Sequence, residues 1–101
     1  MTARRDRDLA AALSRALAAS ASAAGVSATV TDLTARPWFS ATFAGERCRV
    51  VLTVSGGRLA EWLDALPEAE LPIRGCYLAD VTPVSAGDGR VTLEALVLED
   101  G

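Results

Sequence analysis

The sequence predicts an α+β domain: a five-stranded, mainly antiparallel sheet with two helices, in the order α-β-β-β-α-β-β. Apolar residues recur at three-and-four spacing in two stretches and alternate at a period of two in five others. Glycine or proline marks most of the junctions between them. With 101 residues, 50% of them hydrophobic, the chain reads as one domain spanning 1–101, because a second core does not fit. Twenty of those hydrophobic residues are alanine, so the weight of the core falls on leucine, valine, the few aromatics and Ile73.

The first helix is expected over 5–24, where Leu9, Ala12, Leu13, Ala16 and Leu17 form one apolar stripe in an alanine-rich background. Gly25 stops it, as a glycine at the left-handed C-terminal cap does. The start is poorly made, since Arg4, Arg5 and Arg7 lie at the positive end of the helix dipole with only Asp6 and Asp8 to offset them. From Val26 the period changes to two, giving a strand over 26–33 that Pro37 separates from a second strand over 38–43. In that second strand Phe39, Ala41 and Phe43 share a side, and Ala44, Gly45 and Glu46 make the loop into a third strand over 47–54. There Cys48, Val50, Leu52 and Val54 point inward, while Arg47, Arg49 and Thr53 point out.

A short second helix over 58–66 places Leu59, Trp62, Leu63 and Leu66 on one face and ends at Pro67. Strands over 73–81 and 90–98 follow, joined by a glycine-bearing loop from Pro83 to Gly89. In the last strand Val91, Leu93, Ala95 and Val97 form one face, but Leu96 and Leu98 join Thr92 and Glu94 on the other. In the fourth, Cys76 and Leu78 alternate with Tyr77, Ala79 and Val81. A two-layer domain expects a polar second face. The surplus therefore predicts an outer apolar patch of Cys76, Leu78, Leu96 and Leu98, with Trp38 beside it. Sheet edges look open to pairing, with no lysine or internal proline to guard them.

Net charge is -3, but it is divided unevenly. Residues 1–60 carry eight Arg against four acids, and 61–101 carry two Arg against nine acids. A pI near 4.8 without a clustered basic stripe argues against a nucleic-acid partner. A secretory signal is considered at the N-terminus and set aside, because Asp6, Asp8 and Arg15 interrupt it; with no strongly apolar run of membrane length, a cytoplasmic setting and no membrane partner are expected. All ten basic residues are arginine, and Lys, Asn and Gln are absent, which points to GC-rich coding and a bacterial-type chain.

Catalytic groups are scarce. The chain has no histidine, which removes the usual general acid or base at neutral pH. Cys48 reads as an inert core thiol, and Cys48 with Cys76 lacks metal-ligand spacing, so neither a metal nor a cofactor is expected. Glu61 and Asp64, a helical turn apart, read as solvated charge. Ser55, Gly56, Gly57 and Arg58, between a strand and a helix, have the anatomy of a weak anion site, with Arg47 or Arg49 as a second cation.

These features predict a non-catalytic protein-interaction domain, of adaptor or chaperone type, that forms a homodimer through the outer face of the last two strands or docks another protein there. The alternative is a small-ligand or anion-binding domain built on Ser55 to Arg58. The helix and strand order is similar to that of small acidic secretion chaperones, a likeness of topology alone.

Overall fold

The computed structural model describes residues 2–69, 71, 73 and 75–99, with side-chain surroundings from Leu9 onward. A long helix α1 (Thr2–Ala23) leads into the hairpin β1 (Ser27–Phe39) and β2 (Ala44–Ser55). A short helix α2 (Leu59–Ala65) runs on through a 3-10 turn (Leu66–Glu68), and the hairpin β3 (Cys76–Gly87) and β4 (Arg90–Glu99) closes the chain. The sheet has four antiparallel strands in the order β1-β2-β4-β3. The α+β class predicted from periodicity holds, and the strand count is four, not five.

The two central strands carry the core. Cys48, Val50, Leu52 and Val54 of β2 and Val91, Leu93, Ala95 and Val97 of β4 are all buried. They pack with Leu13, Ala16, Leu17 and Ala21 of α1 and with Trp62, Leu66, Leu71 and Ile73. The period-two alternation of both strands fixes this register, because a slip of one residue would turn every one of these side chains to solvent. Trp62 brings a polar atom inside and satisfies it: its indole Nε1–H donates to Ser20 Oγ across the two helices at 3.0 Å.

The end of α1 follows the expected cap. Gly25 adopts φ +79°, its N–H donates to Ser22 O at 3.0 Å, and the Val26 N–H donates to Ala21 O at 2.8 Å. That pair of bonds satisfies carbonyls the helix would leave open and seats Val26 in the core. At the same corner β2 leaves through Gly56, φ +134°, where a Cβ would lie 2.9 Å from Gly25 O. The side chains of Arg4, Arg5, Asp6, Arg7 and Asp8, on which the expectation of a poorly made start rests, lie outside the described residues.

Three departures from the sequence reading share a cause: the edge strands are irregular. Pro37 does not interrupt the chain into two strands but lies within β1, opposite Glu46, since an edge strand leaves alternate N–H groups unpaired and tolerates proline. The turn is at Ser40–Phe43 rather than at Ala44 to Glu46. Ser40 Oγ accepts the Phe43 N–H at 3.0 Å, and the Ser40 N–H donates to Phe43 O at 2.9 Å. Phe39 and Phe43, read as one side of a strand, flank this turn and are 73% and 48% exposed. In β3, Pro83 pairs with Leu93 and the strand runs on to Gly87. The loop shrinks to Asp88 and Gly89, both with positive φ, the geometry of a two-residue hairpin turn for which Asp-Gly is the standing sequence signal.

Replacing Leu93, fully buried in β4, with alanine is expected to lower unfolding free energy by about 2–5 kcal/mol in urea titration. Thr34→Ala, on the opposite face of the edge strand β1, is expected to change it by less than about 0.5 kcal/mol.

Candidate functional site

One face of the sheet is packed by the helices, and among the described residues the other is open. Strand pairings arrange the open face in rows running from β1 through β2 and β4 to β3. The first is Trp38, Gly45, Leu98, Tyr77, and the second is Arg36, Arg47, Leu96, Asp80. The third is Thr34, Arg49, Glu94, Thr82, and the fourth is Asp32, Val51, Thr92, Ser85.

The first row is an apolar band. Gly45 is what lets it form, because a Cβ there would overlap the Val97 carbonyl oxygen and sit 3.0 Å from Leu98 Cδ2. Leu98 lies over that glycine and is only 6% exposed although it is on the open side. Trp38 is half-buried and Tyr77 is 41% exposed on either side of it. Leu96, half-buried in the next row, continues the band.

Of the five residues predicted for the outer patch, Leu96, Leu98 and Trp38 are brought together here. Cys76 and Leu78 are not; both are half-buried against the core. The reason is a β-bulge between Leu78 and Asp80, which leaves Ala79 without a partner and reverses the phase of the strand. Before the bulge Leu78 opposes Val97 on the core side, and after it Val81 opposes Ala95 on the same side. Tyr77 and Asp80 face outward as a result. Sequence alternation assigned Tyr77 to the core face, and only the bulge corrects it.

The predicted open edges are guarded instead. β1 and β3 are the two edge strands, and the irregularities fall on them: Thr31 at a break between Val30 and Asp32, Ala79, and Val84 at a break between Pro83 and Ser85. Bulges and the prolines Pro37 and Pro83 break the flat row of donors and acceptors that strand addition needs. Thr31 Oγ1 donates to Val51 O at 3.3 Å, which ties the first bulge down.

Charge divides the second and third rows of the open face in two. Arg36, Arg47 and Arg49 occupy the β1–β2 half, with Arg36 directly opposite Arg47. Asp80 and Glu94 occupy the β4–β3 half, while in the rows beyond them Asp32 on β1 and Arg90 on β4 carry the opposite signs. Arg49 and Glu94 approach to 3.8 Å across the seam, both about half exposed, a contact of small net value in water. Among the described residues, neither Arg36 nor Asp80 has an ion-pair partner.

The turn at Ser55, Gly56, Gly57 and Arg58 is arranged differently from an anion cradle. Arg58 pairs with Glu61 at 3.9 Å, and no side chain caps α2. Arg49 is six residues back along β2, about 20 Å at strand rise. Cys48 is buried, and among the described residues no group of three His, Cys, Asp or Glu side chains is placed to hold a metal. Among them, too, no helix is long and apolar enough to cross a membrane. Comparison of the chain with protein families, with curated proteins and with solved structures finds no match.

Gly45→Ala is expected to destabilise the fold by about 2 kcal/mol or more, because the added methyl meets backbone that must shift; a thermal midpoint unchanged from wild type would contradict the close approach of β4. A thiol reagent under native conditions is expected to label the half-buried Cys76, and to reach the buried Cys48 only after unfolding.

Proposed function

We propose that this chain is a non-catalytic protein-interaction domain that works as a homodimer through the open face of its sheet. The observation that carries the reading is the apolar band of Trp38, Leu98, Tyr77 and Leu96 on a face that, among the described residues, no helix covers. Contiguous apolar surface of this kind marks interaction sites more often than solvent-facing scatter. The guarded edges support the face over the edge as the contact, and two-fold pairing is the commonest way for one patch to meet another of its own kind. The face is about 19 Å across by strand spacing and about 31 Å along β4, of the order of the ~800 Å² that each partner brings to a stable interface.

An adaptor or chaperone role follows from the same face being the main resource the chain offers, together with the acidic second half of the sequence. The chain has no histidine, the commonest proton-transfer group at neutral pH.

Light scattering behind size exclusion, at micromolar concentration, is expected to give a mass near twice 10.5 kDa for the wild type and one chain for Leu96→Asp, with unchanged circular dichroism. A wild-type mass of one chain across that range would overturn the homodimer.

A further inference from the structure

We infer that the second copy packs face to face with its two-fold axis along the strands, between β2 and β4, so that in the second and third rows the basic half of each open face meets the acidic half of the other. This rests on the homodimer reading above and adds the geometry of the pair.

The face has a sidedness that selects among two-fold arrangements. Rotation about an axis parallel to the strands keeps each row at its level and reverses its order. Arg36 then stands opposite Asp80 of the second copy, Arg49 opposite its Glu94, and Trp38 opposite its Tyr77. Leu96 and Leu98, on the central strand β4, lie beside the axis and face β2 of the second copy, where the side chain at each level is Arg47 and the gap at Gly45. Every charge of the two central rows meets an opposite charge or an aliphatic surface along which an arginine stem can lie.

Rotation about an axis across the strands, placed at the centre of the face so that all four rows stay in contact, does the opposite. It lays β2 on β2 and inverts the rows, and with the axis between the second and third rows Arg47 stacks on Arg49 of the second copy and Leu96 on its Glu94. Like charges brought together out of water are strongly unfavourable, and the apolar band loses its apolar partner.

Sheet twist does not upset the first arrangement. Aligned sheets pack at about −30°, which displaces opposed edge strands by about 4 Å against a row spacing of about 7 Å. An arginine side chain spans that offset. The like-charge pair Arg36 and Arg47, which is unfavourable within one sheet, gains a counter-charge from Asp80 of the second copy.

The test is charge reversal with mixing. Arg36→Asp and Asp80→Arg each create two repulsive contacts in this dimer, and each variant alone is expected to dissociate at least about tenfold more readily than wild type in sedimentation or light scattering. A 1:1 mixture of the two restores attraction at both contacts and is expected to return the mass of two chains. Circular dichroism controls for folding, since both positions are solvent-exposed. If both single variants dimerise as wild type while Leu96→Asp is monomeric, the open face stands as the interface and this axis is wrong. If the single variants dissociate and the mixture does not recover, the axis is likewise overturned. A monomeric wild type sinks both readings.

Discussion

Burial of one face of β2 and β4 is the constraint on which the rest of the structure depends. Each fully buried leucine or valine on those strands contributes about 1.5–3 kcal/mol relative to exposure, and the two strands supply eight inward positions in unbroken alternation, all buried. A long helix can cover only part of such a surface. α1 packs over it with Leu13 and Leu17, and the segment from Leu59 to Ile73 fills the remainder with Trp62, Leu66 and Leu71. The hydrogen bond from Trp62 to Ser20 lets the largest of these side chains enter without leaving its N–H unmet.

Because the centre is so firmly registered, the edges are free to be irregular. The three bulges and both in-strand prolines fall on β1 and β3, where a lost ladder bond exposes a group to water rather than burying it. That irregularity has two effects. It discourages strand addition at either edge, and it turns Tyr77 and Asp80 outward so that the open face acquires an aromatic at one end of its apolar band and an acid beneath it. The features that close the edges also complete the face.

Much of this was legible in the sequence where the local pattern and the global fold agree. The inward sets of β2 and β4, the apolar stripe of α1 and the Gly25 cap all follow from period and residue type, and Leu96 and Leu98 are visibly surplus to a polar face. What was not legible lies on the edges. A bulge adds a residue without changing composition, so nothing in the run Cys76, Tyr77, Leu78, Ala79, Asp80 announces that the phase reverses at Ala79. Pro37 reads as a break because its cost depends on whether a neighbour needs the missing N–H, and that is a property of strand order, which is non-local. Asp88 and Gly89 fall inside the longer loop that the sequence predicts from Pro83 to Gly89, because Pro83 suggests an earlier end to the strand. The bond between Trp62 and Ser20 joins residues whose proximity only the packed helices create.

The strand order divides the chain into two stretches that resemble one another in plan: a helix, an irregular edge strand carrying a proline, and a regular inner strand. Each hairpin closes locally, through four residues in one case and two in the other, and such closures take about 1–10 μs. The β2–β4 ladder instead joins Gly45 to Leu98 and Thr53 to Arg90, so it must wait for the intervening chain to come round and carries most of the loop-closure entropy. Of the three ladders, that seam is the one whose cost depends on the length of the 56–75 stretch between the hairpins, so lengthening this connection weakens the join of β2 to β4 without touching either hairpin turn.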